Sequence, residues 1–198
     1  TMEGEEMSVF SIAVCPYNSN RILAGGMGKI WWSEDRGYTW NHSQRGLPNV
    51  PIQSMVCMGG RTNQWLVGTR LGIYISKNSG GHWARTSESI GAADVTVMIS
   101  ILMNPSGSRS RYLTRGKNCI LATDAHSGDL LYSFDSGTTW YRYSDWKCRL
   151  WSLWAGPNPT DGVLLGGTSS DGLFSVKISD LFSFFKLRHQ AENPDVWE

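Results

Sequence analysis

Three segments of the chain repeat one pattern: SEDRGYTW from Ser33 to Trp40, SKNSGGHW from Ser76 to Trp83, and SFDSGTTW from Ser133 to Trp140. A repeat at a regular period constrains the fold strongly, because each unit must bury its apolar face against the next copy of itself. Aligned on these segments, the rest of each unit falls into order. An apolar run built on a serine opens it: SIAVCP from Ser11, SMVCMG from Ser54, SILMNP from Ser100 and SLWAGP from Ser152, spaced 43, 46 and 52 residues apart. A second run ends in small residues (ILAGG, WLVGT, ILATD, LLGGT), and an aromatic-rich third run (KIWWS, GIYIS, DLLYS, GLFSV) leads into the repeated segment. A last short run leaves it (TWNHS, HWART, TWYRY).

Each run is short, rich in β-branched, leucine and aromatic residues, and bounded by Gly, Asn, Asp or Pro, as strands are. Four strands per unit and four units of about 45 residues are the signature of β-propeller blades. The expected fold is all-β: one domain over residues 1–198, with blades at about 8–45, 50–88, 96–145 and 149–188 and a tail over 189–198. The one stretch with helical character, SDLFSFFKLRHQ, aligns with the fourth strand of the fourth unit.

The repeated segment resembles the Asp-box, or bacterial neuraminidase, repeat S-x-D-x-G-x-T-W, found in sialidases, xyloglucanases, sortilin-type receptors and the photosystem II assembly factor. Ser33, Asp35, Gly37 and Trp40 match it, with Thr39, as do Ser133, Asp135, Gly137 and Trp140, with Thr139. The second unit keeps Ser76, Gly80 and Trp83 but has Asn78 for the aspartate and His82 for the threonine; the fourth, VKISDLFSF, has lost the pattern. The residue types suit a turn between the third and fourth strands. Asp or Asn accepts backbone N–H bonds inside the turn, Gly supplies unusual backbone angles, and Trp wedges between neighbouring sheets. These carboxylates are structural on this reading rather than catalytic.

The resemblance also implies that ligands use the opposite face, which carries the second-to-third strand loops and the connections between blades. On it we expect a partner-binding surface from Arg45, Arg70, Asp124, His126, Trp146, Arg149 and Asp171. The run YRYSDWKCRLWSLW concentrates aromatic and basic residues there, a composition of interface hot spots that also suits stacking against a sugar ring. Within it, Trp151 and Trp154 flank the innermost-strand serine and are expected to point inward or between sheets. On the other face, an extended loop with Arg109, Arg111, Arg115 and Lys117 offers a basic docking element.

The remaining composition removes whole classes. A net charge of +1 steers the chain to neither nucleic acid nor a charged membrane surface. No apolar run approaches the roughly 20 residues of a membrane helix, and the first ten residues do not read as a signal peptide, so no compartment is assigned. Cys15, Cys57, Cys119 and Cys148 show no metal-ligand spacing; the first three lie in or beside apolar runs and read as buried thiols. No metal or cofactor is expected. A sialidase would need three arginines converging on one carboxylate, and nothing ties Arg45, Arg70 and Arg149 to one point. An inverting glycosidase would need two carboxylates about 6.5–9.5 Å apart, for which Asp94, Asp124, Asp145 and Asp171 qualify by loop position alone.

The sequence therefore reads as a non-enzymatic interaction or scaffold module within a larger assembly, with a protein partner or a second copy; the alternative is a carbohydrate-binding or glycoside-hydrolysing propeller. Two closures fit four blades: a small self-closed ring, or part of a larger ring completed by association. Exposed sheet edges in an open ring favour the second.

Overall fold

Runs of alternating apolar residues bounded by turn formers become short antiparallel strands, as their pattern dictates. A computed structural model describes residues 8–16, 18–58, 64–86, 88–103, 117–156 and 162–192 of the 198. The first sheet holds β1 (Ser11–Val14), β2 (Ile22–Gly25), β3 (Ile30–Ser33) and β4 (Asn41–Ser43), hydrogen-bonded in that order. The second holds β5 (Ile52–Cys57), β6 (Trp65–Thr69), β7 (Gly72–Ser76) and β8 (Ala84–Arg85). A 3-10 turn at Glu88–Ile90 leads into the third, β9 (Val95–Met103), β10 (Lys117–Asp124), β11 (Leu130–Ser133) and β12 (Tyr141–Tyr143). The fourth has three strands, β13 (Leu150–Ala155), β14 (Val163–Thr168) and β15 (Leu173–Lys177), followed by a helix, α1 (Ile178–Glu192).

The sheets follow one another face to face, with the first strand of each beside the first strand of the next. Each interface is a separate apolar cluster. Leu23, Ile30 and Trp32 of the first sheet pack on Met55, Cys57, Trp65 and Val67 of the second. Val56, Leu66 and Ile73 on the other side of the second sheet pack on Met98, Ile120 and Leu131 of the third. Ile101, Leu121 and Tyr132 of the third pack on Leu164 and on Leu181 and Phe185 of α1. Alternation along each strand supplies the two faces, since successive side chains point opposite ways. Adjacent Trp31 and Trp32 divide in this manner: Trp32 joins the cluster with the second sheet, while Trp31 lies under the Lys29 ammonium, 5.3 Å from its ring centroid. The fold is thus all-β, built of propeller blades. Cys15, Cys57 and Cys119 are buried free thiols.

The three repeated turns share one geometry. In the first, the Ser33 hydroxyl donates to Asp35 Oδ1 (2.7 Å) and accepts from Gly37 N (2.7 Å), while Asp35 Oδ1 accepts from Thr39 N (2.8 Å). The Thr39 hydroxyl donates to Asp35 Oδ2 at 2.6 Å, and this bond leads the set that holds the Asp35 carboxyl down at about 2. The Trp40 indole donates to the Gly37 carbonyl at 2.9 Å. Asn78 and Asp135 make the matching bonds to His82 N (2.9 Å) and Thr139 N (2.8 Å), and Trp83 and Trp140 those to the Gly80 and Gly137 carbonyls. The glycines lie at φ of 91°, 97° and 82°, where a side chain is strained. A Cβ on Gly137 would also come within 2.5 Å of Leu66. Because one oxygen accepts the turn's backbone amide, a bond that Asn78 also makes in the second unit, Asp135→Asn should leave stability nearly unchanged in urea titrations. Asp135→Ala should lose about 1 kcal/mol.

Two expectations are corrected. Ser11, Ser54 and Ser152 pair with Gly25, Gly68 and Gly167, but the counterpart of those glycines in the third sheet is Thr123, which pairs with Val97. The third unit therefore opens on Val97 rather than Ser100. The inner-strand serines confirm the spacing: Ser11 Oγ donates to the Ile52 carbonyl (2.6 Å) and Ser54 Oγ to the Val95 carbonyl (3.3 Å), the same 41-residue step. The fourth unit, in turn, ends in α1 rather than a fourth strand. With the turn residues gone, nothing reverses the chain after Lys177. Ile178, Leu181 and Phe185, at helical spacing, line one buried face, and Asp180 in the first turn complements the helix dipole. Phe185 stacks on Tyr132 with centroids 4.2 Å apart, Phe184 meets Tyr143 at 5.1 Å and Phe182 meets Phe134 at 6.5 Å. The helix covers the side of the third sheet that a turn tryptophan would have covered.

Candidate functional site

The loops between second and third strands pack against the connections between sheets. Gly28 N donates to the Val50 carbonyl (2.8 Å), and Met27 bridges Pro51. In the third sheet this face closes into a charged cluster. Arg142, in the middle of β12, directs its side chain away from those of Tyr141 and Tyr143 by strand alternation. Its Nη1 donates to Asp124 Oδ2 (2.9 Å), Asp129 Oδ2 (2.7 Å) and Ser127 Oγ (3.1 Å), and its Nη2 to the Ile90 carbonyl (2.7 Å). Lys147 Nζ reaches Asp129 Oδ1 at 2.9 Å. Asp124 Oδ1 accepts the backbone amides of Asp94 (3.2 Å) and His126 (3.0 Å). Two buried carboxylates thus face two cations, with further bonds to backbone and hydroxyl groups, the condition under which burying such charges is tolerable.

Burial pushes both carboxyls up, but the bonds outweigh it. Arg142 and the His126 and Asp94 amides hold Asp124 below the usual range. Lys147, Arg142 and Ser127 hold Asp129 at about 2. Both are therefore ionised at neutral pH, and a general acid must carry its proton. The cluster clamps loops together instead: the 124–129 loop is fastened to the 145–149 connection, where Cys148 N donates to the Gly128 carbonyl (3.0 Å) and Arg149 Nη2 to the His126 carbonyl (3.3 Å). Among the described residues, no group of three or more His, Cys, Asp or Glu could hold a metal ion.

Of the residues expected on this face, Asp124, His126, Trp146 and Arg149 come together around the clamp. Asp124 is buried within it; His126 and Arg149 are exposed beside it. Trp146 is half-buried, edge-on to Phe174 with centroids 5.3 Å apart. Arg45 and Arg70 are exposed on the first-to-second sheet connection and the β6–β7 turn, and the Arg45 carbonyl accepts Trp83 N (2.9 Å). Asp171 is exposed in the β14–β15 turn, its amide bonded to Thr168 Oγ1 (2.7 Å). Arg109, Arg111 and Arg115 lie outside the described residues, and Lys117 is described only as backbone at the start of β10. Trp151 and Trp154, expected to point inward or between sheets, are instead exposed, at 69% and 54%. Arg142 and its partnership with Asp129 were not legible as a site, because their 13-residue separation closes only through the β11–β12 pairing.

The sequence matches no protein-family model and no curated protein. The architecture is that of a β-propeller, and solved structures of that class resemble it. An ancestral GH74 enzyme matches with a TM-score of 0.59 and 19% identity, over 87% of this chain and 26% of that one. The GH74 enzyme of Niastella koreensis matches at 0.57 and 15%, over 85% of this chain and 30% of that one. YCF48 from Cyanidioschyzon merolae matches at 0.54 and 15%, over 88% of this chain and 55% of that one. The chain thus spans about a quarter to a half of the length of these neighbours. At these identities the likeness concerns the fold. No described helix is long and apolar enough to cross a membrane.

Proposed function

We propose that the chain is a non-enzymatic protein-interaction module built on Asp-box propeller blades, forming a single domain that works within a larger assembly. The observation that carries this reading is the Arg142 clamp. It commits Asp124 and Asp129 to ion pairs and fixes the 124–129 and 145–149 segments as one surface, so that exposed His126 and Arg149 are presented on a preorganised platform. Preorganisation lowers the entropy cost of binding, and arginine beside aromatic residues is hot-spot chemistry. Trp146, half-buried and edge-on to Phe174, adds an aromatic side chain to the surface. Arg45, Arg70 and Asp171 extend the surface, and the Arg109, Arg111, Arg115 and Lys117 loop offers a second contact on the opposite face. The reading calls on no cofactor.

Arg149→Glu tests it: capture of the partner from the source extract should fall about tenfold or more, with the circular dichroism spectrum unchanged. A second reading, carbohydrate binding or glycoside hydrolysis, draws on the exposed Trp151 indole and on Asp94, whose buried Oδ1 has no hydrogen-bond partner. The GH74 neighbours share that fold. Binding of xyloglucan oligosaccharides by the unaltered chain, or release of reducing ends from them, would favour this reading and overturn the first.

A further inference from the structure

The repeat shows that one seam between its sheets is under-filled. Trp32, Ile75 and Tyr132 hold the same position in three successive units: each precedes the turn serine and pairs across its sheet with a leucine, Leu23, Leu66 or Leu121. At the first seam Trp32 packs into the cluster with the second sheet, and its ring lies against the second turn, 3.9 Å from where a Cβ on Gly80 would stand. In the third unit Tyr132 is buried and stacks on Phe185. Between the second and third sheets the position holds only Ile75, whose side chain is much smaller than an indole. A cleft of about 510 Å³ opens there, reaching Gly137 and Thr138 of the third turn.

The residues round this cleft change charge in step. Glu34, Asp35, Thr39 and His42 of the first unit are replaced in the second by Lys77, Asn78, His82 and Arg85, and all four of the latter line the cleft. Lys77 and His82 are exposed, and among the described residues neither side chain has a hydrogen-bond or ion-pair partner. Arg85 is positioned by a bond from Nη2 to the Gly91 carbonyl at 2.7 Å. Asp135, the carboxylate of the third turn, is occupied by the Thr138 and Thr139 amides. Ile75 and Ala84 supply the apolar lining.

We infer that this cleft binds a small aromatic carboxylate. The ring takes the space that Trp32 and Tyr132 fill in the neighbouring units, and the carboxylate meets Lys77, with His82 and Arg85 beside it. An apolar lining with a few convergent polar groups is the make-up of small-molecule sites, and the volume lies within their usual range. Charge-assisted bonds from lysine and arginine supply the selectivity for an anion. The cleft shares no residue with the Arg142 clamp, so the inference stands apart from the loop-face reading.

Calorimetric titration of the unaltered chain with indolepropionic acid tests it. A dissociation constant of about 1 mM or tighter is expected for a ligand of this size, and the uncharged primary amide of the same acid should bind about tenfold more weakly or worse. Lys77→Glu, at an exposed position, restores the charge of Glu34 and should weaken the acid about tenfold or more with the circular dichroism spectrum unchanged. Ile75→Trp puts the first unit's ring into the cleft and should abolish binding without lowering the melting temperature. Equal binding of acid and amide, full binding by either variant, or no binding of the acid up to about 10 mM would each overturn the inference. So would binding of an acidic, tryptophan-bearing peptide without the free acid, which would make the cleft a protein-docking groove. Arg149→Glu should leave the titration unchanged, which separates failure of this site from failure of the loop-face site.

Discussion

Trp83→Ala is expected to cost about 3–5 kcal/mol and to lower the melting temperature by roughly 6–20 °C. Trp83 is among the largest fully buried side chains and wedges between the first two sheets, beside Leu23, Ile30, Ile52 and Trp65. Its removal leaves a cavity that β-sheets on both sides cannot collapse to fill, because their spacing is held by other contacts. It also removes the indole bond to the Gly80 carbonyl at 3.0 Å. Trp40 makes the equivalent bond but is only half-buried, so Trp40→Ala should cost less than half as much. Differential scanning calorimetry of the two variants checks the pair. Equal losses would mean that the turn bond, and not the wedge between sheets, is what the tryptophan contributes.

Arg142→Leu should be as damaging, at about 3–5 kcal/mol, because it leaves the buried Asp124 carboxylate without a cation and Asp129 with Lys147 alone. Its signature is in the pH dependence. In the intact chain Asp129 titrates at about 2 instead of 3.8, and Asp124 is lowered too. A carboxyl whose folded value is depressed contributes stability that is complete above the unfolded value and disappears as pH falls through the folded one. The unaltered chain should therefore lose stability steadily between about pH 4 and pH 2. Arg142→Leu should be less stable at pH 7 and should show a shallower loss across that window, since Asp124 loses the leading group that lowers it and Asp129 keeps only Lys147 and Ser127. Urea titrations at a series of pH values read both effects. An unchanged acid slope would assign the acid-sensitive bonds to the turn aspartates, Asp35 and Asp135, instead.

The turns were legible residue by residue. Ser33, Asp35, Gly37 and Trp40 lie within eight positions, and the bonds they make are local, so composition at fixed spacing is enough to specify them. Strand identity and the four-unit organisation were legible for the same reason. Where a unit lacked the local chemistry, alignment with its siblings misled. The fourth unit reads as a strand only by analogy, while Ile178, Leu181 and Phe185 carry a helical period that the neighbouring sheet then rewards with burial. In the third unit Ser100 imitated a landmark that pairing across the sheet assigns to Val97.

Other features depended on elements far apart in the chain. The Arg142 clamp draws on Ile90, Asp94, Asp124, Asp129 and Lys147, from separate segments that meet only when β12 pairs with β11 and the connections fold over them. The exposure of Ile12 and the burial of Met55 follow from the same residue pattern; which of them faces water is decided by whether a sheet stands opposite. Turn and strand preferences are short-range consequences of side-chain chemistry and backbone angles, and so a sequence states them directly. Charge pairing and burial are set by neighbours in space, and those exist only once the sheets have packed.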